Sequence, residues 1–570
     1  MLLLLDNIII SNIIVATMYV DISQSIQHGK VYKRALLRES YREKDKVKHR
    51  TIANLSKCSD QEIQAIKLAL KHKHDLTSLG SLKDNIKTKQ GLSVGAIITL
   101  KALADRLYIT KGLGNSTHGK LALWQVMARI IDQGSRLSAV RLAGTHAACD
   151  LLNLDSFTED DLYENLDWLC EQQGKIEKQL FRLRYKSSKP PRLFLYDVTS
   201  SYLEGLNNEL AEWGYNRDGK KGKLQIVIGL LTDGHGVPVS VEVFRGNTHD
   251  TKTFLNQVKK LAGQFEIKEV TIVGDRGMIK SAQIEELKEE HFSYISAITK
   301  PQIEKLIKKG VIQLDLFSER ICEVEDEGIR YILRRNPLRV QEIEKTRREK
   351  IKKVQAEIKK QNQYLAEHKR AKLLVAKSKI EQLITRLKIR SFTKVDVEGR
   401  GVSLHIDENR KEEEEVLDGC YVIKTELKEA DLSGEIVHQR YKDLAQVEYG
   451  FRTIKTGLLE TRPVYVQKEK RTRGHVFVVM LSYIIVHELQ KLWVEMDLTV
   501  QEAINELSTI TGDEVKLGDI SFQQIPQPRD LGATLLGLAK VSLPSALPCR
   551  NVKVATRKKL PERRTRFRKQ

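Results

Sequence analysis

Between residues 190 and 300, apolar runs alternate with amphipathic stretches in an order that predicts an α/β core. Three short runs predict strands, namely "RLFLYDVTS", "LQIVIGLL" and "VPVSVEVF", the last two joined by the glycine-bearing turn "TDGHG". The segment "DTKTFLNQVKKLAG" has the apolar spacing of a helix. It is followed by a predicted strand "EVTIVGDRG", a helix "SAQIEELKEEH" and a strand "FSYISAI".

The chain before this core changes pattern twice. Between Tyr19 and Leu55 the segments "ALLRESYRE" and "VKHRTIANL", separated by the charged "KDK", predict a β-hairpin. The later segment "LALWQVMARIIDQGSRLSAVRLAG" predicts helices, for which packing and DNA-end recognition are both open roles. The first seventeen residues are apolar but contain Asp6, lack the basic start of a secretory signal and are too short to span a bilayer. We interpret them as an over-extended translation start, with translation beginning at Met18.

After residue 300 the core pattern is interrupted by a charged helical segment. Residues 338–398 contain no Gly or Pro and predict one long helix or a helical hairpin, either a solvated cover for the core or an interaction coiled coil. Strand character returns in "GCYVIKTEL", and residues 441–458, "YKDLAQVEYGFRTIKTGL", predict one helix. The apolar helix "HVFVVMLSYIIVHELQKLW" has fewer than twenty apolar residues, so we interpret it as buried core and not as a membrane span.

These patterns predict an α/β protein with a ribonuclease-H-like catalytic core, like that of retroviral integrases, interrupted by an inserted domain. Three antiparallel strands followed by helix, strand, helix and strand are the order of that core. The predicted regions are a basic β-hairpin and helical region at 18–92, a helical domain at 93–189, the first part of the core at 190–305, an insertion at 306–430, the second part of the core at 431–500 and a carboxy-terminal region with a basic tail at 501–570.

Charge indicates the kind of partner. Lys and Arg outnumber Asp and Glu by 96 to 75, which gives a net charge of +21 and favours a polyanion, most simply nucleic acid. The tail 550–570 is strongly basic and is expected to stay disordered until it meets nucleic acid, or to serve only as a solubilising end. The six cysteines form no CxxC pair, which argues against a zinc site and a disulfide framework and fits a reducing cytoplasm.

Three carboxylates are placed for metal-dependent chemistry on a phosphodiester. Asp197 ends the first predicted strand and Asp275 ends the fourth, and these strands are expected to be neighbours. Glu448 follows across the insertion. Two Mg²⁺ ions roughly 3.5 to 4 Å apart can stabilise the attacking and leaving oxygens, and Mg²⁺ prefers carboxylate ligands. Each residue taken singly could instead form a turn or cap a helix.

The motifs around these carboxylates resemble those of DDE-type bacterial insertion-sequence transposases with the signature Y-x2-R-x3-E-x6-K. In "YKDLAQVEYGFRTIK", Tyr441, Glu448 and Lys455 match three of its four positions, while Leu444 stands where the pattern has Arg. The segments "YDVTSSYLEG" and "VGDRGMIK" resemble the first and second aspartate motifs. The resemblance runs from about residue 18 to residue 483. We expect Arg452 to supply the phosphate contact of the missing arginine.

The resemblance implies a transposase that binds double-stranded DNA, both the inverted repeats of its own element and its target, and uses two Mg²⁺ ions, for which Mn²⁺ can substitute. It also implies a hairpin intermediate, a homodimer on DNA, and a cytoplasmic, nucleoid-associated protein without a membrane role. A non-catalytic DNA-binding relative and a coiled-coil assembly protein are the alternatives. On one helix, Tyr441, Glu448 and Lys455 would share a face. The residues expected to contact DNA are Tyr441, Lys455, Arg452, Arg276, Arg217, Lys220 and Lys221.

Overall fold

The computed structural model describes residues 17–27, 30–43, 46–73, 86–186, 190–220, 222–267, 269–276, 278–318, 320–455, 457–517 and 520–558. They form a mixed α/β structure with two compact units. One unit consists of the described residues up to Gly91 together with Gly512–Ile525, and the other consists of Leu92–Thr511 and the described residues from Pro526. Of residues 1–17, which we interpreted as an over-extended translation start, only Thr17 lies in the described part.

The amino-terminal unit begins with an antiparallel sheet of β1 (Thr17–Gln27), β2 (Lys30–Glu43) and β3 (Lys46–Asn54). The predicted hairpin is confirmed as β2 and β3, and β1 adds a third strand. Helix α1 (Asp60–Lys71) follows and is capped by a reciprocal hydrogen-bonded pair between its first turn and the preceding serine. Buried Ala35, Leu55 and Ile63 join α1 to the sheet. Strand β4 (Ile86–Ser93) comes next.

The predicted helical region is confirmed as a bundle that is largely buried. Its helices are α2 (Gly95–Arg106), α3 (Ile109–Leu113), α4 (Thr117–Ile131), α5 (Arg136–Ala143), α6 (Ala148–Leu152) and α7 (Glu159–Arg184). Helix α4 has apolar side chains on nearly every face, which is typical of a helix surrounded by protein. Its Trp124 is completely buried and donates its indole N–H to the carbonyl of Ala139.

The second unit is organised around an eight-stranded sheet, and its first strands follow the predicted order. They are β5 (Leu193–Tyr202), β6 (Gln225–Asp233), β7 (Pro238–Arg245), α8 (Asp250–Lys259), β8 (Thr271–Gly274), α9 (Ser281–Glu289), β9 (Ser293–Ala297) and α10 (Lys300–Lys308). A π-helical turn, Lys260–Gln264, extends α8, and a 3₁₀ turn lies at Leu314–Leu316. Strands β5, β6 and β7 pair antiparallel, while β8 lies parallel between β5 and β9. The expected neighbours, β5 and β8, are therefore adjacent.

The segment predicted as an insertion contributes both to the sheet and to a separate helical lobe. Its elements are β10 (Cys322–Asp326), β11 (Ile329–Arg335), α11 (Pro337–Glu367), α12 (Leu373–Leu387), β12 (Thr393–Glu398), β13 (Gly401–Ile406), α13 (Glu408–Glu415) and β14 (Cys420–Thr425). Strands β10, β11 and β14 extend the central sheet, whose order is β10-β11-β14-β9-β8-β5-β6-β7. Helices α11 and α12 form the helical hairpin, one of the two predicted arrangements, but the prediction of helix up to residue 398 is wrong, because Thr393–Glu398 pairs with β13 as a strand. The hairpin shares a core with the β12–β13 pair that includes Val354, Ile380 and Val395.

The carboxy-terminal part completes both units. Its elements are α14 (Gly434–Lys442), α15 (Leu444–Lys455), α16 (Glu469–Leu492), α17 (Val500–Ser508), β15 (Thr511–Leu517), β16 (Ile520–Gln524) and α18 (Asp530–Leu538). Strands β16, β15 and β4 form a sheet that the sequence pattern did not predict. Helix α16 is the one described helix that is long and apolar enough to cross a membrane, but 72% of its apolar window is buried inside the protein. This burial agrees with its interpretation as core.

Two further predictions about secondary structure and the tail need correction. Residues 441–458 do not form one helix, because the chain breaks at Asp443 into α14 and α15. The expectation that the whole tail has no fixed partner is also wrong for its first residues, since Arg550 pairs with Asp155 at 3.0 Å and Arg557 with Asp160 at 3.2 Å. Residues 559–570 of the tail lie outside the described part, and the predicted domain boundaries stay predictions.

Candidate active site

The register of β5 and β8 brings two of the predicted carboxylates side by side. The parallel pairing ends at Tyr196 opposite Gly274, so Asp197 and Asp275 are the next residues on two strands that lie about 4.8 Å apart. The sequence predicted that Asp197 ends its strand, and this prediction is wrong. β5 continues to Tyr202 because it still pairs with β6 on its other side. Asp275 follows the last residue of β8.

Side-chain alternation along β5 selects the face on which Asp197 lies. Phe194, Tyr196 and Val198 are buried in the core that also contains Phe254 of α8. Successive residues of a strand point to opposite faces, so Asp197 lies on the other face, where α15 packs against β5.

Helix α15 carries Glu448 to the same place. The helix buries Val447, Phe451 and Ile454, which leaves Glu448 exposed toward solvent. Gly450 permits a close approach to α16, because a Cβ atom there would lie 3.1 Å from the ring of Tyr483. The three predicted carboxylates surround one cavity of about 360 Å³. Its lining residues are Asp197, Val198, Thr199, Arg217, Asp218, Asp250, Asp275, Met278, Glu448, Phe451, Arg452, Lys455 and Arg462.

The electrostatics of the cavity act most strongly on Asp197. The pKa of Asp197 is raised from 3.8 to about 7, chiefly by burial and also by the negative charges of Asp275 and Glu448, while the backbone N–H of Val198 and the charge of Arg217 oppose this rise. The Val198 N–H donates to Asp197 Oδ1 at 2.7 Å. Asp197 can therefore hold a proton near neutral pH unless a cation enters the cavity.

Tyr441 reaches the site from α14 and not from the helix that carries Glu448. This corrects the expectation of a shared helix face, since the break at Asp443 separates the two residues. The phenol of Tyr441 nevertheless donates to Asp275 Oδ1 over a long 3.4 Å. Burial raises the pKa of Tyr441, so the phenol stays protonated at neutral pH. Arg276 is exposed, and its backbone N–H donates to Asp275 Oδ1 at 2.7 Å.

Lys455 and Arg452, two of the residues expected to contact DNA, both line the cavity. Lys455 is not open to solvent, however, because its ammonium donates to Asp218 Oδ1 at 2.7 Å. Burial lowers the pKa of Lys455, and the Asp218 carboxylate opposes that effect. Asp218 and Arg462 are two cavity residues that the sequence analysis missed. Asp218 lies among the cations Arg217, Lys220 and Lys221, which gave its segment a basic character, and no local pattern marks Arg462.

The basic loop between β5 and β6 is only partly described. Arg217 lies at the cavity and forms a bidentate ion pair with Asp250, at 2.7 and 2.8 Å. Lys220 is exposed, with its ammonium 5.9 Å from the ring centre of Tyr202. Lys221 lies outside the described residues. The predicted DNA contacts of these residues stay predictions.

The donor set suits a hard divalent cation. Five carboxylates and no thiolate line the cavity, and the three predicted ones remain available as ligands because Asp218 and Asp250 are held in ion pairs. Carboxylate oxygens are the ligands that Mg²⁺ prefers. Repulsion from Asp275 and Glu448 helps to raise the pKa of Asp197. A bound cation would offset this repulsion, because it favours the ionised carboxylates. Among the residues that the structure describes, however, no three or more His, Cys, Asp or Glu side chains are grouped closely enough to hold a metal ion. The carboxylates are thus gathered around one cavity without forming a closed ligand set.

Comparisons with known proteins identify the class to which this fold and cavity belong. Residues 188–485, or 298 of 570, match the family described as transposase DDE domain. The chain therefore belongs to the DDE transposases. Residues 20–82 match the family described as IS1634 family transposase, amino-terminal domain, which supports an insertion-sequence DDE transposase.

Other comparisons add little. One solved structure with similarity is the piggyBac transposase in a synaptic complex with hairpin DNA, with 11% identity and a TM-score of 0.33 over 74% of this chain and 69% of that chain. This similarity is too low to define the fold. No curated protein matches the sequence significantly.

Proposed function

We propose that this transposase binds the terminal inverted repeats of its own insertion sequence and catalyses metal-dependent strand cleavage and strand transfer from a ribonuclease-H-like core. The observation that carries the proposal is the meeting of Asp197, Asp275 and Glu448 at one cavity, from two adjacent strands and a helix. Their positions in the chain are far apart, so their meeting is a property of the fold and not of one local motif.

The residues of the cavity divide into two chemical groups. Bound by Asp197, Asp275 and Glu448, two Mg²⁺ ions would supply a nucleophile at neutral pH and stabilise the leaving oxygen. The cations Arg452 and Lys455 would bind and orient DNA phosphates at the same cavity. The phenol of Tyr441 donates a hydrogen bond that orients Asp275.

The reaction has two main steps, hydrolysis at the element end and strand transfer. In the first, a water oxygen bonds to phosphorus at the element end while the bond from phosphorus to the 3′ oxygen breaks, which leaves a 3′ hydroxyl. In the second, that hydroxyl attacks a target phosphodiester and the target 3′ oxygen leaves, so one phosphodiester replaces another. From the family resemblance we further propose a hairpin intermediate between these two steps. The freed 3′ hydroxyl attacks the opposite strand, the flanking 3′ oxygen leaves, and water then breaks the hairpin phosphodiester and restores the 3′ hydroxyl. The same resemblance supports a homodimer on DNA and action on DNA of the nucleoid.

The proposal is tested with DNA that carries the inverted repeats flanking the gene. We expect Asp275→Ala and Glu448→Ala to abolish Mg²⁺-dependent cleavage, because each removes a metal ligand. Gel-shift affinity should stay equal or rise slightly, because affinity comes from Lys and Arg displacing counterions. Lys455→Ala should weaken binding and cleavage together. Glu435→Ala, which removes an exposed glutamate of α14 outside the cavity, is the matched control and should cut like the wild type.

The alternative, a DNA-binding relative without catalysis, predicts a different result. If the wild-type protein binds the inverted repeats but does not cut them in Mg²⁺ or Mn²⁺, that alternative is correct. If both carboxylate variants cut at the wild-type rate, the proposed site is wrong.

A further inference from the structure

The basic loop that joins β5 to β6 contains a buried acidic residue, Asp218. The side chain of Asp218 is 1% exposed, so its carboxylate has lost nearly all contact with water. A buried charge is costly unless it is paired and hydrogen-bonded. Asp218 is paired twice, with Lys455 at 2.7 Å and with the guanidinium of Arg462, and its second oxygen accepts the backbone N–H of Tyr202 at 3.2 Å.

The two cations come from different parts of the chain and face the same cavity. Lys455 is the last residue of α15, seven residues after Glu448, and Arg462 lies in the connection from α15 to α16. Both line the carboxylate cavity together with Asp218. Two cations against one carboxylate leave one net positive charge, 2 − 1 = 1, beside the three acids. Such a cluster suits a phosphate next to the proposed metal site.

The connection that carries Arg462 does not depend on Asp218 for its path. The backbone N–H and the hydroxyl of Thr461 both donate to the carbonyl of Ile454, at 2.9 and 2.7 Å. The N–H of Val464 donates to the carbonyl of Tyr202 at 3.1 Å. These bonds fix the backbone of the connection, whereas Asp218 contacts the charged ends of the two side chains and, outside the connection, the backbone N–H of Tyr202. The carboxylate therefore orients the cations more than it supports the loop.

We propose that Asp218 is a positioning residue that holds Lys455 and Arg462 together as one phosphate-binding pair at the carboxylate cavity. Arg462 then provides an arginine to this cavity although Leu444 occupies the arginine position of the family signature. The inference rests on the proposed function, because the phosphate is that of the DNA being cut. Without the carboxylate between them, the two cations repel each other and lose their common orientation.

The test combines single-turnover cleavage of inverted-repeat DNA with the salt dependence of duplex binding. Asp218→Asn keeps the size of the side chain and an oxygen for the Tyr202 N–H but removes the charge. We expect cleavage to fall about tenfold or more, because misplaced groups lose rate steeply, while the salt slope of binding stays unchanged, because both cations remain. Arg462→Gln should lower cleavage and also reduce the slope of log K against log salt by about 0.9, the value of one lost phosphate contact.

Asp418→Asn is the matched control. It makes the same chemical change at another buried aspartate, which pairs with Arg347 at 2.7 Å in the insertion, away from the cavity. It should lose thermal stability without losing cleavage per folded molecule. Equal losses of cleavage in Asp218→Asn and Asp418→Asn would reduce Asp218 to a structural role and overturn the proposal.

The remaining outcomes separate the positioning role of Asp218 from the phosphate site and from the proposed function. Wild-type cleavage by Asp218→Asn overturns the positioning role while leaving the proposed function intact. If Asp218→Asn does not fold, Arg462→Gln decides, and an unchanged salt slope with unchanged cleavage overturns the phosphate site. If the wild-type protein fails to cut, the proposed function fails, and the slope of Arg462→Gln still tests the phosphate site in duplex binding.

Discussion

Asp197 provides a stability test of the active site that does not require knowledge of the DNA substrate. Burial and the neighbouring carboxylates raise its pKa from 3.8 to about 7. The folded protein therefore binds this proton more tightly than the unfolded chain does. The resulting stabilisation is fully present below pH about 4 and is lost as the pH rises through about 7.

The size of this effect follows from the two pKa values. One pKa unit corresponds to about 1.4 kcal/mol, so the difference between 3.8 and about 7 amounts to roughly 4 kcal/mol across the full range. Between pH 5 and pH 8 the wild-type protein should lose roughly 3 kcal/mol of this stabilisation. Asp197→Asn has no proton to lose, so it should gain the same amount relative to the wild type over that interval.

The assay is denaturant unfolding followed by circular dichroism at pH 5 and pH 8, in buffer without divalent cations. Taking the difference between wild type and variant cancels the titration of every group that the substitution leaves alone. In excess Mg²⁺ at pH 8, the wild type should recover stability while Asp197→Asn recovers much less, because a cation favours the ionised carboxylate. If the difference in the free energy of unfolding between variant and wild type is the same at both pH values, the ionised Asp197 does not destabilise the folded protein and the argument is refuted.

Two further predictions concern packing and a hydrogen bond. Gly474→Ala should lower stability by about 1–3 kcal/mol, because the new Cβ would lie 2.1 Å from the carbonyl oxygen of Leu166. Gly537→Ala in α18, where the Cβ meets no described atom within 4 Å, should be neutral or stabilise by about 0.5–1 kcal/mol, and thermal unfolding compares the two. Tyr441→Phe removes the phenol that contacts Asp275 and should slow cleavage by about 2- to 10-fold, the value of one hydrogen bond, without shifting the unfolding midpoint. A rate equal to that of the wild type would show that the phenol does not act on Asp275.

Local patterns were sufficient for the order of strands and for the two aspartates, because apolar runs mark buried strands directly. They failed where a strand continues in polar residues. Beyond Asp197 the chain reads Val, Thr, Ser, Ser and Tyr, and the strand persists because its backbone pairs with β6 as far as Tyr202 opposite Gln225. Thr199 and Ser200 are buried although they are polar. Burial by neighbouring strands, and not hydrophobicity, keeps this part of β5 in the sheet.

Pairings between distant residues were beyond the reach of the sequence. Asp218 is separated from Lys455 by 237 positions and from Arg462 by 244 positions, and nothing in the composition of its loop distinguishes it from an exposed acid. The break at Asp443 could not be predicted either, because no Gly or Pro marks it and the apolar spacing of a helix continues on both sides. This break affects the site, because Tyr441 contacts Asp275 from α14 while Glu448 lines the cavity from α15.

The long separation between Asp275 and Glu448 does not disturb the site, because a large part of the intervening chain, residues 336–419, leaves and re-enters the sheet at one point. Arg335 at the end of β11 is paired with Cys420 at the start of β14. Next to them, the N–H of Asn336 donates to the carbonyl of Gly419 at 2.9 Å. The helical lobe thus begins and ends on neighbouring backbone positions and can change in length or surface without moving the strands. Because β14 also pairs with β9, which lies beside β8, the chain returns to the sheet two strands away from Asp275 before α14 and α15 carry Glu448 to the cavity. The position of the third carboxylate is set by the pairing of β14 in the sheet and by the packing of α15 against β5, and not by the length of the insertion.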